Sequence, residues 1–124
     1  MPTLQTHPKS TPEEILQHLT ACRDALEDKK AEDIVALDMR GVFDITDYFL
    51  IATGTSEPHL RALFKEMDAV LSQFGYEIPS KVKDHYSGWV VVDGIDFVIH
   101  IFSKEQREFY NLERLWKDCP RLEI

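Results

Sequence analysis

The sequence predicts a mixed α/β (α+β) domain: a mixed sheet of four or five strands flanked by helices. Three observations predict it. Leu60, Leu63, Phe64, Met67, Val70, Leu71 and Phe74 recur at helical spacing and make one apolar stripe. Tyr48 to Thr53 is apolar almost throughout, as a strand buried on both faces in the middle of a sheet must be. The segments alternate as α, β, β, α, a short extended piece, β, β, α. The chain of 124 residues suits one domain and can bury a core without disulfides or metals. Residues 1–10 read as a flexible tail, 11–118 as the domain and 119–124 as a C-terminal tail.

Thr11-Pro12-Glu13-Glu14 is a helix start, with Thr11 as cap, Pro12 in the first turn and Glu14 closing a capping box. Ile15, Leu19, Cys22 and Leu26 carry the helix to about Asp28. Ile34 to Met39 is a short apolar strand. The connection through Asp44-Ile45-Thr46-Asp47 is too short for a crossover helix, so this strand and Tyr48–Thr53 are expected to be antiparallel neighbours. Ser56 caps the next helix, and Gly75 is its left-handed stop. Tyr76 to Lys83 is expected to be extended, since Pro79 excludes a helix. Gly88 to Val92 and Phe97 to Phe102 flank Asp93-Gly94 as a hairpin. Ser103 with Gln106 makes a second capping box, and Glu105 to Trp116 is one helix or two short ones.

Net charge is −8, and ten acids against four bases between Thr11 and Asp47 account for most of it. A direct nucleic-acid binder shows a basic face, and none is legible. Cys22 and Cys119 have neither CxxC nor metal spacing and read as reduced thiols. No apolar run reaches the length of a membrane span. The segment MPTLQTHPKSTPEE lacks the apolar core of a secretion signal, so a cytoplasmic protein is expected.

The strand–Gly54-Thr55-Ser56–helix unit raises the question of a phosphate cradle. GxxxxGK[ST] and GxGxxG are both missing, and a single glycine before a capped helix is ordinary punctuation. The same unit opens nucleotidyltransferases, which need paired carboxylates to hold two metals. Here Asp93 and Asp96 flank a turn, as do Asp44 and Asp47, and no D-x-D is present. The core resembles such an enzyme with its catalytic carboxylates missing. His100, mid-strand among apolar residues, lacks a partnered nucleophile and reads as a hydrogen-bonded structural residue. No catalytic, metal or cofactor residue is therefore assigned. Trp89 and Val91 share one face of their strand, with Val90 and Val92 on the other. Large apolar residues are mostly core, so the residues alone read as core; the pair becomes a partner site if one face is open.

Taken in order, Asp44-Ile45-Thr46-Asp47-Tyr48-Phe49, Ala52-Thr53-Gly54-Thr55-Ser56, Ser87-Gly88-Trp89-Val90-Val91-Val92-Asp93, Val98-Ile99-His100-Ile101-Phe102 and Arg107 to Trp116 resemble the ribosomal silencing factor, or Iojap-like, family. The resemblance spans Ile15 to Trp116. It implies a nucleotidyltransferase-like fold without transferase activity and a homodimer. It also implies binding to the fourteenth protein of the large ribosomal subunit, where the factor blocks subunit joining by bulk and lowers translation when nutrients are short. An acidic protein is repelled by RNA and suits a basic ribosomal protein. Matching the family's Gly-Trp-Val motif makes Trp89 the leading anchor, with Val91 beside it. Arg107 and Tyr110 are expected to border the same surface, and Lys83 is a further candidate. The competing reading is a nucleotide-binding or nucleotidyltransferase-type enzyme.

Overall fold

The computed structural model describes residues 11–42, 46–76, 88–94 and 96–124. Its order is α1 (Pro12–Asp28), β1 (Glu32–Asp38), β2 (Tyr48–Gly54), α2 (Glu57–Gln73), β3 (Trp89–Asp93), β4 (Phe97–Ser103), α3 (Lys104–Tyr110), α4 (Leu112–Leu115) and β5 (Arg121–Leu122). The capping box on α1 is present: the Glu14 N–H donates to Thr11 Oγ1 at 3.2 Å, and the Thr11 N–H donates to Glu14 Oε1 at 2.9 Å. Ser56 caps α2, which stops before Gly75 at φ +92°. Asn111, in the left-handed region at φ +48°, splits the last helical stretch into α3 and α4.

The sheet order is β3-β4-β2-β1-β5. β1 and β2 are antiparallel, as the short connection requires, and β3 and β4 form the expected antiparallel hairpin. β2 and β4 run parallel at the centre, in register from Tyr48 beside Phe97 to Gly54 beside Ser103. Every residue of β2 is buried.

Alternation divides the sheet into two faces. Leu50, Ala52, Val90, Val92, Ile99 and Ile101 join Ile15, Leu19, Cys22 and Leu26 of α1 and Leu60, Leu63, Phe64, Met67 and Leu71 of α2 in the main core. Each large apolar side chain buried there stabilises the fold by roughly 1.5–3 kcal/mol. Leu37, Met39, Phe49, Ile51, Phe102 and Cys119 make a smaller core on the opposite face, with Trp89, Val98, Leu112 and Trp116 packed at its border.

Three expectations change. Ser103 caps α3 by accepting from the Gln106 N–H, but its own N–H donates to the Gly88 carbonyl, so the expected second capping box is only half present. Phe74 closes the α2 stripe in sequence but lies past the helix end, partly exposed and stacked on His18 at 4.1 Å. The C-terminal tail is part of the sheet: Arg121 and Leu122 pair with Leu37 and Ala36, the Pro120 carbonyl accepts from the Asp38 N–H, and Cys119 is buried. The extended segment expected beyond Tyr76, together with residues 1–10, lies outside the described residues.

Candidate functional site

The second face of the sheet is open at the β3 edge. Trp89 is half-buried and Val91 is 37% exposed, while Val90 and Val92 on the other face have no exposed surface. Gly88 makes this placement possible. It sits at φ +81°, and a Cβ there would lie 2.8 Å from both Gln106 Cγ and Ser103 Oγ. The Gly88 carbonyl also accepts from the Ser103 N–H at 2.8 Å. Only glycine lets the start of α3 close on β3, and that closure brings Tyr110 to Trp89.

The Trp89 ring then meets Tyr110 at 4.5 Å between centroids and Phe102 at 5.1 Å. Its indole N–H donates to His100 Nδ1 at 3.1 Å. Phe109, edge-on to Tyr110 at 5.1 Å, is 78% exposed, and Tyr110 is 44% exposed. Val91, Trp89, Tyr110 and Phe109 are thus an aromatic and aliphatic patch of the kind that marks a docking surface. Sequence reasoning singled out three of the four. Phe109 was legible only as one apolar residue within Arg107-Glu108-Phe109-Tyr110, and nothing in the spacing shows that it faces outward.

His100 is 7% exposed, and burial lowers its imidazole to about 4 from the usual 6.5. It is therefore neutral near pH 7. With Nδ1 accepting from Trp89, the proton is assigned to Nε2, which has no partner among the described residues.

Arg107 is on the same helix as Tyr110 but is turned into the molecule. Its Nε and Nη2 each donate to the Glu113 carboxylate at 3.0 Å, and Nη1 donates to Thr53 Oγ1 at 2.8 Å and to the Asp33 carbonyl. The Asp33 carbonyl is presented by a bulge in β1 where Asp33 takes φ +50°. Four of the five guanidinium N–H groups are thus used within the chain, and the side chain is only 12% exposed. Lys83 lies outside the described residues.

The Gly54-Thr55-Ser56 loop borders a cleft of about 460 Å³ that also meets Glu32, Glu57 and Glu105. Its polar groups serve the joint itself. Ser56 Oγ accepts from the His59 N–H, and the Thr55 N–H donates to His59 Nδ1 at 2.9 Å. A Cβ on Gly54 would stand 2.7 Å from Leu60 Cδ2, so a larger residue there would press on Leu60 where α2 packs against the end of β2. Among the described residues no three His, Cys, Asp or Glu side chains gather as metal ligands, and no helix is long and apolar enough to cross a membrane.

Fold and patch together define a mixed α+β protein that presents an exposed aromatic patch at one edge of its sheet. Residues 12–124 match the family model described as ribosomal silencing factor during starvation. Ribosomal silencing factor RsfS of Halalkalibacterium halodurans is 43% identical over 101 residues, spanning 82% of this chain and 86% of that protein. A crystal structure of a Bacillus halodurans protein superposes with a TM-score of 0.73 at 39% identity, covering 90% of this chain and 99% of that one. The mouse protein named mitochondrial assembly of ribosomal large subunit protein 1 is 33% identical, over 73% of this chain and 41% of its own length. The chain belongs to the ribosomal silencing factor family, regulatory proteins of translation that associate with the ribosome.

Proposed function

We propose that the chain binds the large ribosomal subunit through its fourteenth protein, using Trp89, Val91 and Tyr110, and blocks joining of the small subunit by bulk. The observation that carries the reading is the exposed patch of Val91, Trp89, Tyr110 and Phe109 on an otherwise acidic protein. Aromatic residues are the commonest anchors of protein interfaces. A net charge of −8 favours a basic ribosomal protein over the RNA around it. The mouse relative's name points to the same subunit. Arg107 acts within this reading as the residue that holds α3, and with it Tyr110, in place. The factor works without catalysis, on a nucleotidyltransferase-like core whose carboxylates are missing. It is cytoplasmic and forms a homodimer.

The test is co-sedimentation with separated large subunits, small subunits and joined ribosomes, using wild type, Trp89→Glu and Val91→Glu. Wild type should pellet with large subunits alone. Val91→Glu, at an exposed strand position, should keep the far-ultraviolet circular dichroism of wild type and lose binding. Binding undiminished in both folded variants would place the site elsewhere. Heat on titrating nucleotide with Mg²⁺ would contradict the non-catalytic reading.

A further inference from the structure

We propose that His100 is the positioning residue of this docking surface: its Nδ1 holds the Trp89 indole by the N–H and fixes which side of the ring a partner meets. The inference rests on the reading of Trp89 as an anchor. A tryptophan side chain has one polar atom, and its N–H usually finds a hydrogen-bond partner when buried. Here it is turned inward to His100 at 3.1 Å. His100 can serve because it sits directly across the hairpin from Val91, diagonal to Trp89. Phe49 packs edge-on to the imidazole at 4.6 Å, and Phe102 lies parallel to it at 6.1 Å, so the acceptor sits between aromatic rings. The bond to Trp89 is the one hydrogen bond the ring makes among the described residues.

This fixes the partner's chemistry. With its donor spent, Trp89 offers only its carbon face and edge, beside the ring of Tyr110. Such a surface takes an aliphatic side chain or the cation of a lysine or arginine laid over the rings. The Trp89 ring itself does not take a lone carbonyl or carboxylate seeking a donor; in this patch that role falls to the Tyr110 hydroxyl.

The experiment compares wild type, His100→Asn and His100→Leu. Asparagine can set its amide oxygen where Nδ1 stood; leucine offers no acceptor. Affinity for large subunits is measured by co-sedimentation. The two indole N–H signals, one for each tryptophan, are followed by ¹⁵N NMR, with Trp89→Phe assigning them. His100→Leu should weaken binding about tenfold, the worth of one such hydrogen bond, and should shift and speed the exchange of the Trp89 indole proton. His100→Asn should restore both. A folded leucine variant with unchanged affinity and indole signal overturns the proposal. So does a folded asparagine variant as weak as leucine, because the ring and not the acceptor then matters. If leucine fails to fold, asparagine alone decides: wild-type affinity and indole signal support the proposal, and their loss in a folded protein overturns it. If wild type binds no large subunit, the functional reading falls, while the indole signals still decide whether His100 holds Trp89.

Discussion

Arg107→Met should cost about as much as breaking a partly buried ion pair, because the guanidinium ties four parts of the chain together. It joins α3, Glu113 of α4, Thr53 at the end of β2 and the bulged Asp33 carbonyl at the start of β1. Removing one partner of a buried pair costs about 3–5 kcal/mol. The lower end applies here: Glu113 keeps 25% side-chain exposure and has Arg121 at 3.7 Å, so its charge is not stranded. A loss of about 3 kcal/mol follows. With unfolding entropy near 2.1 cal/mol/K per residue, 124 residues turn that into a fall in Tm of roughly 10 °C. Thermal melts followed by circular dichroism measure it. A cycle with Glu113→Gln should show coupling of at least about 1 kcal/mol, because each single change already removes the shared pair. An Arg107→Met melt within about 2 °C of wild type, or zero coupling, would refute the reasoning. Were Arg107 instead a surface contact, the melt would stay in place and binding alone would be lost.

Three further outcomes follow from named contacts. The folded chain resists protonating His100 until about pH 4, whereas the unfolded chain takes that proton near 6.5. Stability from this group is therefore full above pH 6.5 and falls as pH drops toward 4, by roughly 3 kcal/mol in all. Urea midpoints at neutral and mildly acid pH should show the drop in wild type and a smaller one in His100→Asn; equal drops would contradict it. Gly54→Ala should cost about 1–3 kcal/mol, since its Cβ would meet the buried Leu60 side chain, and urea unfolding without loss would show that α2 can retreat. At Asn111, φ +48° favours glycine or asparagine, so Asn111→Gly should melt close to wild type and Asn111→Val about 1–2 kcal/mol below it; equal melts would contradict that backbone.

What was legible in the sequence was local. Thr11, Ser56 and Ser103 announce helix starts because a hydroxyl at that position answers orphan N–H groups of the first turn. Asp93-Gly94 announces a hairpin, and the run from Tyr48 announces a central strand. Pairings between distant residues were not legible. Arg121 and Leu122 add a strand to β1 with only two residues after a proline, too short to show any period. The Arg107–Thr53 bond spans 54 positions, and no spacing rule reaches that far. At the site, alternation placed Trp89 and Val91 together but could not say whether their face was covered.

Coverage of that face follows from simple dimensions. Five strands about 4.8 Å apart span roughly 19 Å, and a helix with its side chains is about 10 Å wide. α1 and α2, 17 residues each, therefore suffice to cover one whole face. Among the described residues, the helices on the other face are the 7 residues of α3 and the 4 of α4. Leu112 and Trp116 pack with the C-terminal Cys119 over Leu37, Met39, Phe49 and Ile51, while α3 lies against β4 and β2 and reaches β3 where Tyr110 meets Trp89. The short α3 leaves Val91 and part of Trp89 in water. A polar pair there would have removed the exposed apolar surface at no cost to the main core, because Val90 and Val92 alone face α2. The apolar side chains at positions 89 and 91 are therefore not required by packing on the main core. Their presence on that exposed edge, with the one polar atom of Trp89 turned inward to His100, is the arrangement on which the proposed docking surface rests.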